Sequence, residues 1–410
     1  METNSLYQHR QECYGCSACA SICPTGSIKM QVDDLGFQYP VINQDTCVNC
    51  GLCCKVCGKK IVSPQKKPIV AFAGVCSDRE IRKKSTSGGI FAVLAEQIIQ
   101  SDGIVFGAVM VKGNDDFQVK HIGVSDLSEL PKLQGSKYMQ SNLEGIFPQI
   151  KGFLSQSKKV LFCGTPCQID ALNHFLGREY DDLVTVDVLC HGVPSVKIYN
   201  DYIQYEKKKR NVEEFDVVFR DKEKNRWTHG AVLITKKNNR YKKKTIFYNL
   251  SPFYMSFMDG HILRESCYAC QYASNERPAD ITLGDYWGIQ KAHPEILKRN
   301  GGQLDQELGI SCIVANSEKG LELIRQCGDK LILIESTCEK ISKYNPAYVQ
   351  AVSKPRDYNS YAEMYREKGF AGIDQLYREK YKVKIPIFII KNAIPYELKM
   401  FIRKMLRGAQ

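Results

Sequence analysis

From Ile69 onward, short apolar runs alternate with longer stretches whose apolar residues recur on a helical period, the pattern of β-α-β units around a largely parallel sheet. Ile69–Val75 reads as a strand, Gly89–Gln100 as a helix that is apolar on most sides, and Ile104–Val111 as the next strand. A polar stretch of no clear period follows. Val160–Cys163 is a short strand that runs into Gly164, Thr165 and Pro166. Thr165 is placed as an N-cap and Pro166 at the first helical position of a helix that reaches about Leu176. Leu183–Leu189 is a further strand, ending at Cys190, His191 and Gly192, and a helix begins near Ser195. Beyond Asn211 the pattern is mixed, with a hairpin of Ala231–Thr235 and Thr245–Tyr248 around a turn at Asn238 and Asn239. In such a sheet, helix N-termini direct unpaired N–H groups and the positive end of the dipole into a crevice at the carboxyl ends of the strands, so function is expected there.

Residues before Ile69 follow no such period; cysteine dominates them. The spacing Cys13, Cys16, Cys19, Cys23 recurs as Cys47, Cys50, Cys53, Cys57. The first run, CYGCSACASICP, has the CxxCxxCxxxCP ligand pattern of bacterial ferredoxins. Three thiolates at short intervals wrap one face of a cuboidal 4Fe–4S cluster as the chain turns, while the fourth cysteine points away to the other cluster. That logic assigns Cys13, Cys16, Cys19 and Cys57 to one cluster, and Cys47, Cys50, Cys53 and Cys23 to the other. Gly15, Ala18 and Ala20 keep the first loop slim; the second run carries Gly58 where a proline is usual, and Cys54 is surplus. Zinc is the competing reading, but all-cysteine zinc sites use two CxxC pairs across a longer loop rather than three cysteines in tandem. Ser63–Pro68, with two prolines and two lysines, reads as a linker.

Composition changes the picture little. Of 410 residues 43% are hydrophobic and 25% charged, which is ordinary for a globular chain of two or three domains. Met1–Gln11 lacks the basic flank and apolar run of an export signal, so the cytoplasm is the expected location and reduced, metal-binding cysteines are expected over disulfides. The net charge of +12 is concentrated in Lys207–Arg210, Lys236–Lys244 and the segment from Arg378. Solvated helix faces and hairpin tips account for such runs; a docking patch for an acidic partner is the alternative. The apolar run Ile385–Ile390 is too short for a membrane span; packing on the main domain is expected, with peripheral membrane or partner contact as the alternative.

Nine cysteines lie beyond Cys57. Cys76, Cys312, Cys327 and Cys338 sit in apolar or helical contexts and read as core. Cys163, Cys167 and Cys190 fall at strand ends or helix starts, and Cys267 and Cys270 form a CxxC. A CxxC brought to Cys167 and Cys190 completes four thiolates, enough for a third 4Fe–4S cluster or for a closed zinc site. One-electron clusters coupled to two-electron organic chemistry need a converter, and a flavin is the usual one. Ser85–Gly89, preceded by Arg82, Lys83 and Lys84, offers small residues at a helix N-terminus that suit a pyrophosphate, although a Ser-Gly-Gly there is also an ordinary cap and turn.

STSGG, GTPCQ, LCHGVPS, FRDK, SCYACQY and ITLGDYWG follow the dicluster segment in this order. The combination, over nearly the whole chain to about Gly288, resembles the β-subunit family of coenzyme F420 hydrogenases and dehydrogenases, which also includes a plant chlorophyll-cycle reductase. The resemblance implies FAD and iron–sulfur clusters, with Ser87, Gly88 and Gly89 against the flavin nucleotide and Gly164, Thr165 and Gln168 bordering it. It also implies Cys167, Cys190, Cys267 and Cys270 as ligands of a further cluster. His191, Arg220, Lys222, Asp285 and Trp287 match recurring family positions. His191 is the candidate proton donor because its charge changes near neutral pH, although a histidine past a strand end is commonly only a hydrogen-bonded loop residue.

The expected fold is therefore a multidomain α+β and α/β chain: a dicluster ferredoxin-like domain over residues 1–62, then an α/β flavin-binding domain with a mixed, largely parallel sheet. Its parts are residues 68–195 and 196–345, followed by a basic, mainly helical segment over 346–410. The expected function is electron transfer between clusters, FAD and an organic hydride carrier or substrate, with ferredoxin or another oxidoreductase subunit as redox partner. The alternative is a connecting subunit of a hydrogenase or formate dehydrogenase complex. A zinc-stapled nucleic-acid-binding module explains the charge but not the tandem cysteine spacing, so no nucleic acid is expected.

Overall fold

Two strands of the cysteine-rich segment, β1 (Ile28–Val32) and β2 (Gln38–Ile42), pair antiparallel as a hairpin. Further along come β3 (Val70–Cys76), β4 (Ile104–Lys112), β5 (Phe117–Val124), β6 (Val160–Gly164), β7 (Leu183–Val188), β8 (Glu214–Phe219), β9 (Gly230–Lys237), β10 (Arg240–Phe247), β11 (Ile281–Asp285), β12 (Ser311–Ala315) and β13 (Leu331–Ser336). The structure is a computed structural model and describes residues 6–61, 64–113, 116–222, 226–394 and 398. Of the expected segments, residues 1–5 and 62 of the first and 395–397 and 399–410 of the last lie outside the described residues, as does Ser63 of the linker.

One mixed sheet of eight strands has the order β13-β3-β12-β11-β7-β6-β4-β5. The neighbours β11, β7, β6 and β4 pair parallel, and the flanking pairs are antiparallel. Following the directions through these pairings, β3 runs with β11, β7, β6 and β4. Five carboxyl ends, at Cys76, Lys112, Gly164, Val188 and Asp285, therefore reach one edge of the sheet.

Both faces of the sheet are covered, which is why its strands are apolar on both sides. Leu161, Val184 and Val186 face a layer that includes Val93, Leu94 and Ile98 of the helix Ile90–Gln100 and Leu321 and Ile324 of the helix Glu318–Gln326. Their alternate neighbours Val160, Phe162 and Leu183 face the other layer, with Phe147 and Ile150 of the helix Ile146–Ser155 and Ile169 and Leu172 of the helix Pro166–Leu176. Ala18 and Val56 of the cysteine-rich segment belong to this second layer. By its contacts the chain forms two units, Met1–Asn200 with Leu263–Lys354, and Asp201–Ile262 with Pro355–Gln410. The cysteine-rich segment shares its unit with the eight-stranded sheet.

The second unit holds the antiparallel sheet β10-β9-β8 and the helices Pro252–Met258, Tyr358–Lys368, Phe370–Tyr381 and Lys384–Ala393. Asn238 and Asn239 both take positive φ, 49° and 60°, at the β9–β10 turn, so the basic run Lys236–Lys244 forms a hairpin. Tyr202 stacks on Phe253 at 5.3 Å and packs on Phe370 at 5.0 Å. The buried Asp374 accepts hydrogen bonds from the Tyr205 hydroxyl (2.6 Å), Lys209 Nζ (2.8 Å) and Arg378 Nε (2.8 Å). No described helix is long and apolar enough to cross a membrane.

Candidate metal and cofactor site

The two cysteine runs adopt the same local backbone. In the first, Gly15 and Ser17 both have φ of 64°, and a short helix, Ala18–Ile22, follows. In the second, Asn49 at 53° and Gly51 at 72° take the same places before the helix Leu52–Lys55. These left-handed turns fold N–H groups back toward sulfur: Gly15 N–H donates to Cys13 Sγ at 3.4 Å, and the amides of Ala18 and Ala20 serve Cys16 and Cys19.

Cys13, Cys16, Cys19 and Cys57 line one pocket enclosing roughly 520 Å³ of space, part of it open to solvent. Burial raises the pKa of Cys16 and Cys19, and the neighbouring thiols, Cys57 among them, raise it further. Burial also raises Cys13, against the pull of the Arg264 guanidinium. Four thiolates packed together in this way repel one another unless a cationic core neutralises them, so this donor set fits an iron–sulfur cluster. Among the described residues, no three or more His, Cys, Asp or Glu side chains converge as ligands of a single metal ion.

The other set lies further out. Cys50 is exposed, and Cys23, Cys47 and Cys53 are half-buried. Their polar contacts are local: Cys23 Sγ is 3.6 Å from Thr25 Oγ1, and Cys47 Sγ is 3.8 Å from Asn49 Oδ1. Burial and then its neighbour Cys54 raise Cys53. Burial acts to raise Cys23, but the Thr25 hydroxyl and the amides of Thr25, Ser27 and Ile28 outweigh it and hold the thiol low.

Four further thiols gather near the carboxyl edge of the sheet. Thr165 caps the helix Pro166–Leu176 in a box with Gln168, whose Oε1 accepts from Thr165 N at 3.0 Å, and Thr165 Oγ1 lies 3.2 Å from Cys167 Sγ. Cys190 follows β7 and accepts from Gly192 N–H at 3.3 Å. Cys267 lies in the 3-10 turn Glu265–Ala269, and Cys270 ends it. Val193 N–H serves Cys267; Tyr272 and Ala273 N–H serve Cys270. Burial pushes Cys167 up to about 12, with Cys270 and Cys190 adding to it. It likewise pushes Cys190 up to about 12 with help from Cys267 and Cys270, and Cys267 up to about 12 with Cys167 and Cys270. These four thiols therefore lie within electrostatic reach of one another. Cys167 also lines the pocket of Cys13, Cys16, Cys19 and Cys57.

Several supporting residues carry no motif and escape a sequence reading. Arg264 is buried, with Nε donating to Cys13 O (2.8 Å), NH2 to Gln38 O (2.9 Å) and NH1 to Gln140 Oε1 (3.2 Å), and its guanidinium stands 4.2 Å from the Tyr39 ring centre. Among the described residues no carboxylate pairs with it. Tyr14 and Tyr272 pack with ring centres 5.3 Å apart beside the same pocket, and Tyr272 OH donates to the buried Asp170 at 2.6 Å. A side chain at position 58 would run into Asp170 and stand 2.7 Å from the Tyr272 hydroxyl, which explains a glycine where ferredoxins place proline. Lys137 donates to Gln134 O (2.7 Å) and Lys132 O (3.2 Å), and burial pushes its pKa down to about 8.

The glycine-rich loop Ser85–Gly89 stands at the end of β3, on the same sheet edge. Ser87 Oγ donates to Ile310 O at 3.0 Å, and Gly88 N–H donates to Ser311 Oγ at 2.9 Å. A Cβ at Gly88 would meet Gly74 O at 2.5 Å, so close strand packing alone requires that glycine. Thr86 Oγ1 lies 3.1 Å from Ser136 Oγ, tying this loop to the one that bears Lys137. Gln168 Nε2 donates to Ser141 Oγ at 2.9 Å, so its amide is taken up within the chain. His191 is half-buried in the turn after Cys190; Asp285 and Trp287 lie at the end of β11, whereas Arg220 and Lys222 are buried in the other unit.

Residues 12–61 match the model of the 4Fe-4S dicluster domain. The loop geometry and this match define an iron–sulfur protein of oxidoreductase type. Residues 71–147 match the model of the N-terminal part, and residues 157–340 that of the C-terminal part, of the coenzyme F420 hydrogenase/dehydrogenase beta subunit. The chain belongs to the coenzyme F420 hydrogenase/dehydrogenase beta-subunit family. No curated protein matches it. Among solved structures it is similar to a chain of the xenon-derivatized F420-reducing NiFe hydrogenase complex from Methanosarcina barkeri, at 17% identity over 79% of this chain and 95% of that one, with a TM-score of 0.41.

Proposed function

We propose that this protein is a cytoplasmic iron–sulfur flavoprotein oxidoreductase that moves electrons between a redox partner, its 4Fe–4S clusters, FAD and an organic hydride carrier or substrate. The observation that carries the reading is Cys167: it lines the pocket of Cys13, Cys16, Cys19 and Cys57, and its thiol interacts with Cys190 and Cys270. An inner cluster on the first set and a third cluster on Cys167, Cys190, Cys267 and Cys270 would be immediate neighbours.

A flavin bound at the strand ends would take electrons singly from clusters and pass them in pairs, with a proton, to an organic acceptor. The residues that would hold it are Ser87, Gly88 and Gly89 before the helix Ile90–Gln100, and Gly164 and Thr165 before the helix Pro166–Leu176. The first of these helix N-termini would supply N–H groups and the positive dipole end for its phosphates, whereas at the second, where Pro166 has no N–H and the Thr165 and Gln168 amides bond within the cap, the loop would border the flavin. Gly88 and Gln168 act by shaping the edge, since their polar groups bond within the chain. His191, beside Cys190, would hold the proton that accompanies transfer. The ferredoxin segment within the same chain favours a reductase that works without a hydrogenase or formate dehydrogenase subunit.

Anaerobically purified protein is expected to contain iron, acid-labile sulfide and flavin, and its flavin, once reduced through ferredoxin, to be reoxidised by the physiological acceptor. Absence of sulfide overturns the cluster reading, and absence of flavin overturns the flavoprotein reading. Turnover that requires another subunit, beyond the ferredoxin that donates electrons, overturns autonomy. Cys267→Ser should lower iron per chain; unchanged iron rejects the third cluster.

A further inference from the structure

The helix Lys384–Ala393 in the second unit is apolar on two opposite sides. One side has a use: Ile385 and Phe388 pack on Met255, Tyr377 and Tyr381, and Asn392 Oδ1 accepts from Phe247 N at 3.1 Å. The other side has none within the described residues. Val383, Ile387 and Ile390, at the spacing i, i+4, i+7 of one helical stripe, are 73%, 46% and 63% exposed. A helix on a globular body ordinarily turns polar residues outward, so a row of branched aliphatic side chains facing water is the reverse of what folding requires.

The charges around the stripe indicate what covers it. Lys382, Lys384 and Lys391 are all exposed, and residues 382–394 contain no acid. A second copy docking through this face would bring the lysines of both chains together with no carboxylate to pair them. A bilayer with anionic headgroups offers hydrocarbon to the isoleucines and negative charge to the lysines at once. With ten residues the helix is about 15 Å long, too short to span a membrane and suited to lie in its surface plane.

We infer that the helix Lys384–Ala393 is an interfacial anchor that seats this protein on an anionic lipid bilayer, with Ile387 and Ile390 inserted and Lys382, Lys384 and Lys391 on headgroups. This goes beyond the redox reading and stands independently of it.

The test is sedimentation of the full-length protein with vesicles of phosphatidylcholine alone or mixed with phosphatidylglycerol. Binding to the anionic vesicles is expected, weakened by high salt, with little binding to the neutral ones. The double variant Ile387→Glu/Ile390→Glu should bind at least about tenfold more weakly, because both inserted side chains become charged. Unchanged iron content and circular dichroism would show that its fold is kept, as expected for positions on the outer stripe. Lys384→Gln/Lys391→Gln leaves the apolar stripe intact and should lose only the anionic preference. Wild-type protein that ignores anionic vesicles overturns the inference, as does a double variant that binds like the wild type. A concentration-dependent dimer broken by the double variant, without vesicle binding, also overturns it and makes the face a contact between copies.

Discussion

The two cysteine loops share a backbone and differ in almost everything around it. In the first, Tyr14, Gly15, Ser17 and Ala18 are buried; in the second, Val48, Asn49, Cys50 and Gly51 are exposed, Val48 by 62%. At the matched left-handed positions the first loop has glycine then serine, and the second asparagine then glycine. Neither order follows from cluster binding, which both spacings serve equally. It follows from the neighbours. A Cβ on Gly15 would stand 2.8 Å from Gln140 Nε2, 2.9 Å from Arg264 NH1 and 2.9 Å from Gln38 O, whereas one on Gly51 would meet nothing within 4 Å. The two loops repeat one cysteine spacing, and packing has made one the inner contact with the sheet and left the other exposed.

Exchanging the residues that distinguish the loops gives the largest expected effect. Asparagine tolerates the left-handed backbone, as Asn49 shows, so Gly15→Asn isolates the clash from the conformation. It should cost about 3 kcal/mol or more through overpacking and displace the inner cluster, seen as a lower thermal midpoint and less iron per chain. The reciprocal Asn49→Gly should change stability by less than about 0.5 kcal/mol, as expected at an exposed site. Equal effects of the two substitutions would contradict the inner and outer assignment.

Acid should also act on the sheet that the inner loop packs against. His121 on β5 is buried, donates from Nε2 to Cys163 O at 3.0 Å, and packs on Phe162 with ring centres 5.3 Å apart, at the end of the strand that leads to Cys167. Burial pushes its pKa down to about 4. Between the ordinary histidine value and about 4 the unfolded chain therefore binds a proton that the folded chain refuses, and stability falls as the pH falls. The loss should reach about 3 kcal/mol near pH 4. Neither Cys13–Cys23 nor Cys47–Cys57 contains Asp, Glu or His, so this loss belongs to the sheet. Denaturation of the wild type and His121→Gln across this range checks it: the variant should lose this part of the slope, and an unchanged slope would exclude His121 as its source.

What could be read from the sequence was what is encoded locally. The tandem cysteine spacing carries its chemistry within a few residues, and the cap at Thr165, Pro166 and Gln168 is a contiguous signal found where the pattern placed it. β5 escaped because Gln118 and Lys120 alternate with Phe117, Val119 and an inward-facing histidine, which interrupts the apolar count; the strand is nonetheless buried on alternate residues. Gly58 looked like a defect in a ferredoxin motif, and only the approach of Asp170 and Tyr272 gives it a reason. Arg264 was invisible for the same cause: its partners Cys13, Gln38 and Gln140 are brought to it by the fold, and no local pattern marks a buried guanidinium.

Arg264 also offers the finest division between the two loops. Its guanidinium is fixed against the backbone of Cys13 and lowers the proton affinity of Cys13, Cys167 and Cys267 thiols, so it is a positive charge aimed at the inner side. A positive charge favours the more negative, reduced form of a bound cluster. Arg264→Met keeps an apolar chain over Tyr39 and removes the charge. In a redox titration followed by electron paramagnetic resonance, it should lower the potential of the cluster proposed on Cys13, Cys16, Cys19 and Cys57 by on the order of tens of millivolts. The cluster proposed on Cys47, Cys50, Cys53 and Cys23 should move much less. Arg264→Lys, which keeps the charge but loses the three-way fork, should restore most of the potential if charge is the cause. Equal shifts in both clusters would mean that the charge does not discriminate between the loops, and the contrast would then rest on packing alone.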